Sequence, residues 1–430
     1  MRDPVAVIGL GYVGLTLALT FAEEGLPVIG IEKNAAILGN LREGRAPFFE
    51  KGLDSLLKKH WGKNLQASRE LPHQEIAAYI LCIGTPIDDR RRPNLDVAES
   101  AVGEIASHLR DGVLVVLRST VPVGTSRKVF LPLLDATKKK YHYACCPERT
   151  CEGIALREIR ELPQIIGGRD GESTERASAL FRKISPHLVT VPSLEAAEMI
   201  KLMDNSWRDT IFAFSNEIAV LCESLELHAA DVIRFANVGY DRNTIPQPGF
   251  VGGPCLSKDP YILASPSMGP HREMPLIMKA RQVNEDLPRL AWERVRSFLE
   301  KKKKLTQCKV FLAGMAFKGD PATNDLRGSP SLGFLRYVRE SGIASIAAHD
   351  FVSSNEEMSR IGVRTTSLEE GFQDADAVCI LNNHPSYRSL DILSLLRQMN
   401  RPAFFFDAWH LFGAETVKQV VGVSYGGIGF

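Results

Sequence analysis

Two hydrophobic rhythms divide the chain. Short, nearly unbroken apolar runs recur in its first part, at Val5–Ile8, Val28–Glu32, Ala78–Gly84, Gly112–Leu117, Tyr143–Cys146 and Leu188–Val191. Runs of this length that alternate with helical patterns predict strands of a parallel sheet buried on both faces. From Leu194 the period becomes helical, and Ala196, Met199, Ile200, Met203, Ile211, Phe212 and Ile218 read as one long buried face. Helical patterns continue over Ala229–Ala236 and Leu276–Glu300, up to the basic run Lys301–Lys304, which reads as a solvated linker at a domain exit. Strand-like runs then return at Lys309–Ala313, Ser345–Ala348, Ala377–Leu381 and Ala403–Phe406. The pattern predicts two α/β domains around a helical middle.

The first run leads into Gly9-Leu-Gly11-Tyr-Val-Gly14 and an apolar helical pattern, Leu15–Ala22. In that context Gly9 permits the tight turn, Gly11 lets the backbone approach a pyrophosphate, and Gly14 lets helix and strand pack closely. The second run ends in Glu32, whose carboxylate suits a ribose diol and repels a 2′-phosphate, so the expected cofactor is NAD rather than NADP. The fold class is therefore α/β, with two Rossmann-like parallel-sheet domains joined by a central helical domain with a long connecting helix. The expected divisions are residues 1–194 for the NAD domain, 195–300 for a helical dimerisation domain carrying catalytic residues, and 305–430 for a second ligand-binding α/β domain. Ligand-facing residues in a parallel sheet lie where strands end, which singles out Thr85, Thr120 and Glu148, with Ser119 equally readable as a cap.

Composition narrows the function classes. The 430 residues are 44% hydrophobic and 24% charged, with a formal net charge of +1. This is a soluble globular composition with no footprint for nucleic acid or a membrane surface. No apolar run approaches the roughly 18 residues of a membrane span, and the N-terminus enters a strand pattern at once, so a signal peptide is not expected. The eight cysteines are scattered, with neither a disulfide framework nor a metal-binding spacing, which fits a reducing cytoplasm and no metal.

The chemistry concentrates in Pro248-Gly-Phe-Val-Gly-Gly-Pro-Cys255-Leu-Ser-Lys-Asp259. Gly252 and Gly253 place no side chain over the Cys255 sulfur or in the way of a ligand. A thiol on such a loop can form a covalent intermediate if it loses its proton. On the long helical pattern, Lys201 and Asn205 are an i, i+4 pair, with Arg208 at i+7, and a lysine and an asparagine together can stabilise an oxyanion. In the last domain, Lys318 and Arg327 on loops near strand ends suit a phosphorylated ligand.

Several motifs in one order make the chain resemble the UDP-glucose/GDP-mannose dehydrogenase family of nucleotide-sugar 6-dehydrogenases. They are GLGYVGL at 9–15, GTP at 84–86, STVPVG at 119–124, PER at 147–149, Lys201 with Asn205, GGPCLSKD at 252–259 and GMAFKGDPATNDLRGSP at 314–330. The resemblance implies two successive NAD-dependent oxidations of a sugar C6 alcohol to the carboxylate in polysaccharide biosynthesis. It implies Cys255 as the nucleophile that forms a thiohemiacetal and then a thioester, Lys201 and Asn205 as oxyanion stabilisers, and Asp259 as the group orienting water or Lys201. Thr120 and Glu148 match positions that handle a catalytic water, with Glu148 a candidate base in hydrolysis. Cofactor contacts are implied for Gly9, Gly11, Tyr12, Val13, Gly14, Glu32, Thr85, Thr120 and Arg327. Substrate contacts are implied for Glu148, Lys201, Asn205, Phe250, Gly252, Phe317 and Lys318, with a UDP-sugar as substrate and a homodimer through the central helices. Pro254 stands where many relatives have His or Tyr, and Asp407-Ala-Trp-His-Leu replaces a more usual Asp-Gly/Ala-Arg-Asn. The stretch from Pro147 to Gly168 is similar to the UDP-N-acetylhexosamine branch, with UDP-glucose the alternative. A two-electron dehydrogenase and a noncatalytic NAD-binding regulator are remoter readings. The first needs no cysteine, and the second needs none of Cys255, Lys201, Asn205 and Asp259.

Overall fold

Every apolar run of the N-terminal part forms a strand in the computed structural model, which describes residues 3–265 and 273–430. The first sheet contains β1 (Val5–Ile8), β2 (Val28–Ile31), β3 (Leu65–Ser68), β4 (Ala78–Leu81), β5 (Leu114–Leu117), β6 (His142–Cys145), β7 (Gln164–Gly168) and β8 (Leu188–Val191). Its order is β3-β2-β1-β4-β5-β6-β7-β8. The β6–β7 pair is antiparallel and the other pairs are parallel. Alternate residues of β1 feed two cores: Val5 and Val7 face one, Ala6 and Ile8 the other. That two-sided burial is why its sequence is apolar without alternation.

The second sheet contains β9 (Lys309–Ala313), β10 (Ser345–His349), β11 (Arg364–Thr365), β12 (Ala377–Ile380), β13 (Ala403–Asp407) and β14 (Val423–Gly427). Its order is β11-β10-β9-β12-β13-β14, all parallel. Here too the central strand divides its side chains, Val310 and Leu312 to one core and Phe311 and Ala313 to the other. Both sheets are Rossmann-like, and helices occupy the middle of the chain.

By packing, the described chain forms two compact units: Met1–Asn205 with Lys258–Glu273, and Ser206–Ser257 with Met274–Phe430. The central helical segment contributes to both. The Lys301–Lys304 run lies inside the second unit rather than at an exit from one. It is a hydrogen-bonded turn in which Lys303 pairs with Asp376 at 2.7 Å, so it is not a free linker.

The helix Leu194–Ser224 is 31 residues long and corrects the apolar-face reading. Met199 and Met203 are exposed, Met203 by 52%. Buried beside the apolar Leu194, Ala197, Leu202, Ala213 and Ala219 is a row of polar residues at helical spacing: Glu198, Lys201, Asn205, Asp209 and Asn216. Arg208 is exposed and does not share that buried face.

Candidate active site

In the first unit, the loop after β1 has the geometry its glycines predict. Gly9 has φ +90°, a conformation L side chains rarely adopt. A Cβ on Gly14 would overlap the Gly9 carbonyl oxygen, whereas a Cβ on Gly11 would meet nothing within 4 Å. Gly11 is the N-cap of α1 (Tyr12–Glu23), which has no side-chain cap and no acidic residue in its first turn. An open cradle at an uncapped helix N-terminus fits a pyrophosphate. Tyr12 stacks on Phe48 with ring centroids 3.8 Å apart, fixing one wall of this loop.

Glu32 is not a merely solvated strand end. Its Oε2 accepts from the Leu10 N–H at 2.9 Å, and its Oε1 from the Asn34 N–H at 2.8 Å. Each oxygen keeps a second lone pair, so the carboxylate both fixes the glycine loop and can accept from a ribose diol.

The strand ends are tied together by hydrogen bonds. The Thr85 hydroxyl donates to the Thr120 carbonyl at 2.7 Å, joining the ends of β4 and β5. The Ser119 hydroxyl donates to the Leu81 carbonyl at 3.1 Å, a structural role. Glu148 is buried, and its carboxylate accepts from Arg118 at 2.7 Å and from the Arg149 and Thr150 N–H groups at 2.7 and 2.9 Å. Burial pushes the Glu148 pKa up, but the Arg118 guanidinium and the two N–H groups outweigh it, leaving the carboxyl below its ordinary range. Glu148 is thereby a weaker base than an ordinary glutamate and holds the Pro147–Thr150 loop.

The first turns of the long helix bind these loops. Glu198 accepts from the Gly124 and Ser126 N–H groups at 2.5 and 2.8 Å, so the loop after Thr120 is held by the helix carrying Lys201. Burial raises the Glu198 pKa above its ordinary value despite those bonds. Asp204 accepts from Arg149 at 2.9 Å. Asn205 donates to Asp259 Oδ2 at 2.5 Å, and Lys258 donates to Asp259 Oδ1 at 2.6 Å. Asp259 thus orients Asn205 rather than Lys201. Lys201 is buried, and its ammonium makes no hydrogen bond or ion pair among the described residues.

The second unit carries the thiol. Cys255 sits in a single helical turn, Gly253–Leu256, and its side chain is exposed. Among the described residues no cysteine is in a disulfide. Burial pushes the Cys82 and Cys146 thiols up to about 12, which makes them inert at neutral pH.

The glycines of this loop serve packing more than ligand access. A Cβ on Gly252 would overlap the Gly328 carbonyl, and one on Gly253, at φ +90°, would overlap the Phe317 ring. The Gly253 N–H donates to the Gly328 carbonyl at 2.8 Å. A Cβ on Gly249 would lie 2.7 Å from the Trp409 indole, which itself donates to the Leu381 carbonyl at 3.0 Å. Phe250 is 3% exposed and packs on Phe334, so its ring belongs to the core and only its backbone can face a ligand. Phe317 backs the cysteine turn, and the Lys318 ammonium lies 5.4 Å from the Phe317 ring centre. Arg327 shares its guanidinium with Asp325 at 2.6–3.0 Å and keeps 63% of its side chain exposed.

The same unit holds a buried network that sequence reasoning missed. Arg281 donates to Asp209 Oδ1 at 2.7 Å and to the Leu256 and Val251 carbonyls at 2.9 and 3.1 Å. Asn284 donates to the same Asp209 oxygen, and Asn216 exchanges hydrogen bonds with Gly249 in both directions. The signal lies in Asp209 and Asn216, which continue the helical spacing of Lys201 and Asn205, whereas the sequence reading follows the polar row to Arg208 instead.

Among the described residues, no cluster of His, Cys, Asp or Glu could hold a metal ion, and no helix is long and apolar enough to cross a membrane. The dinucleotide cradle of the first unit points to a class, the dinucleotide-dependent oxidoreductases. Residues 3–185, 195–286 and 311–414 match the NAD-binding, central and UDP-binding domains of the UDP-glucose/GDP-mannose dehydrogenase family. The chain belongs to that family and is an NAD-dependent nucleotide-sugar dehydrogenase.

Among relatives, the UDP-N-acetyl-D-mannosamine dehydrogenase of Pyrococcus horikoshii is 32% identical over 437 residues, covering 99% of each chain. The enzyme of that name from Campylobacter jejuni is 32% identical over 90% of this chain and 96% of its own. A solved structure of the Pyrococcus horikoshii UDP-D-ManNAc dehydrogenase superposes with a TM-score of 0.89 at 30% identity, covering 99% of both chains. The Staphylococcus aureus UDP-N-acetyl-mannosamine dehydrogenase Cap5O gives 0.86 at 25% identity, covering 99% of this chain and 98% of its own.

Proposed function

We propose that the chain oxidises the C6 alcohol of a UDP-N-acetylhexosamine to the carboxylate by removing four electrons at one site. The names of its relatives favour UDP-N-acetylmannosamine. The observation that carries the reading is Cys255, an exposed thiol on a turn whose backbone is hydrogen-bonded on both sides. A two-electron dehydrogenase has no use for such a group.

Bound NAD supplies a hydride acceptor for each oxidation. Lys201 and the second amide hydrogen of Asn205 stabilise negative charge as it develops on the sugar O6. Once C6 is an aldehyde, the Cys255 sulfur bonds to it and the carbonyl oxygen takes up a proton, giving a thiohemiacetal. Loss of that proton and a second hydride leaves a thioester. Water adds to it, the C–S bond breaks, and the thiolate leaves the carboxylate behind. Thr120 and the Glu148 loop are assigned to the water, with Glu148 positioning rather than deprotonating it. Lys318 and Phe317 are assigned to the nucleotide sugar, and Thr85 and Arg327 to the cofactor.

We place the enzyme in the cytoplasm as a maker of polysaccharide precursors, a reading supported by its eight thiols and its substrate class. It acts as a homodimer. Trp207, Phe214 and Leu221 recur every seven residues on the long helix, and each is more than half exposed, as a helix–helix seam requires. Sedimentation should show a dimer that Trp207→Glu dissociates.

The test is a panel of UDP-N-acetylmannosamine, UDP-N-acetylglucosamine, UDP-N-acetylgalactosamine and UDP-glucose, with NADH counted against sugar consumed. A UDP-N-acetylhexosamine is expected to give the highest kcat/KM and two NADH per sugar. One NADH per sugar, or preference for UDP-glucose, overturns the reading.

A further inference from the structure

We infer that Arg281 is a positioning residue for the Cys255 thiol, acting through the backbone on either side of it. The inference rests on the reading of Cys255 as nucleophile. Arg281 lies on the helix Pro275–Glu300 and is 2% exposed. Its fork spans the turn: Nη2 holds the Val251 carbonyl and Nη1 the Leu256 carbonyl, with only Gly252-Gly-Pro-Cys255 between them. Nη1 is anchored by Asp209, also buried, whose Oδ1 accepts from Asn284 as well. Asn284 Oδ1 in turn accepts from Asn216, which pins Gly249. The backbone on either side of the sulfur is therefore held by a buried polar assembly rooted on two long helices. Within it, Asp209 Oδ2 and Arg281 Nε are left without a hydrogen bond among the described residues.

A buried ion pair is weak evidence for stability, because well-packed apolar residues of the same volume often serve as well. What an apolar residue cannot do is fix two carbonyls about one thiol. Lysine cannot do so either, since it lacks the planar fork that reaches three acceptors in set directions. The first oxidation uses Lys201 and Asn205 and needs no sulfur. The second requires the sulfur within bonding distance of C6, and a misplacement of about 1 Å can cost roughly 10²-fold. Loss of the fork should thus separate the two oxidations, which a purely structural role would not do.

The experiment is single-turnover NADH formation by the full-length enzyme with UDP-N-acetylmannosamine, comparing wild type, Arg281→Lys and Cys255→Ala, alongside the rate of Cys255 alkylation by iodoacetamide. For Arg281→Lys we expect a first NADH within about threefold of the wild-type rate. The second should be slowed about 10- to 100-fold, with an alkylation rate altered from wild type. Equal slowing of both phases, or an unchanged second phase with only a lowered Tm, overturns the inference. If Arg281→Lys does not fold, Asn284→Ser removes the amide that fixes Asp209 while leaving the guanidinium in place. It should give the same split at about three- to tenfold, and no split overturns the inference. Cys255→Ala separates the two claims. If it still yields two NADH, the nucleophile reading fails. If it stops at one and the Arg281 and Asn284 variants show no split, only the positioning role fails.

Discussion

Asn205 and Asp259 share a hydrogen bond of 2.5 Å, although 54 residues of chain separate them. Asp259 is fully buried, and its other oxygen is held by Lys258. The carboxylate therefore fixes which way the Asn205 amide points, one helical turn beyond Lys201. Asp259→Ala leaves that amide and a partly buried ammonium without their acceptor, each at about 1–3 kcal/mol. Differential scanning calorimetry should show a lowered Tm, and both NADH-forming steps should slow together. Asp259→Asn should be milder in stability and still impaired in rate. An Asp259→Ala enzyme with wild-type Tm and rates would show that the pair orients nothing.

Lys201 and Cys255 should fail in different ways. Lys201→Met keeps the volume and removes the charge, and both oxidations place negative charge on the same oxygen. Its kcat should fall about 10²–10⁴-fold while the yield stays at two NADH per sugar. Cys255→Ser should keep the fold but stall after the first oxidation or at a slowly hydrolysed adduct, with well under two NADH per sugar. Single-turnover stoichiometry distinguishes them, and two NADH at near-wild-type rate from Cys255→Ala would mean the thiol is structural.

Glu32 is assigned to the choice of cofactor. Its replacement by alanine removes both the acceptor for the ribose diol and the repulsion of a 2′-phosphate. The ratio of kcat/KM for NAD to that for NADP should fall by at least about tenfold, equivalent to roughly 1.4 kcal/mol. Because Glu32 also accepts from the Leu10 and Asn34 N–H groups, NAD binding itself should weaken and the Tm should drop slightly. An unchanged cofactor ratio would remove Glu32 from the site.

The Arg118–Glu148 pair predicts a pH dependence at the acid end. The Glu148 carboxyl is depressed in the folded state: burial opposes ionisation, but Arg118 and two N–H groups overcome it. Its stabilising contribution is thus complete above the ordinary glutamate pKa and is lost as pH falls through the lower folded value. Thermal unfolding from pH 7 down to pH 3 should show a steep acid-side loss of Tm that Glu148→Gln flattens, with a lower Tm for that variant at pH 7. The pH–rate profile should carry no inflection from Glu148 between about pH 6 and 8, since the group stays ionised throughout.

What the sequence made legible follows from how locally each feature is encoded. The glycine loop was readable because its backbone conformation is written within a few residues that follow a strand and open a helix. β3 was missed because Leu65-Gln-Ala-Ser is a half-exposed edge without an apolar run, and β14 because Gly426 and Gly427 break its pattern. β7 hid behind its own Gly167 and Gly168. The long helix was found, but its buried face was only partly assigned. Ile200 and Ile218 do pack on cores, whereas Met199 and Met203 are exposed and Glu198, Lys201, Asn205, Asp209 and Asn216 are buried. The partners of Glu198, Asn205, Asp209 and Asn216 are Gly124, Asp259, Arg281 and Gly249, all far away in sequence, so nothing local signals that these four side chains are hydrogen-bonded.

Gly253 and Phe317 are 64 positions apart, yet a single methyl group on the first would occupy the ring of the second. Space at position 253 is not enough by itself to admit a side chain, because the backbone there has φ +90° as well. The cysteine turn and the loop after β9 are thus two faces of one steric fit. A change that displaces the Phe317 ring shifts the neighbour of Lys318, so the shape around the thiol and the shape around the group assigned to the nucleotide sugar cannot be altered one without the other.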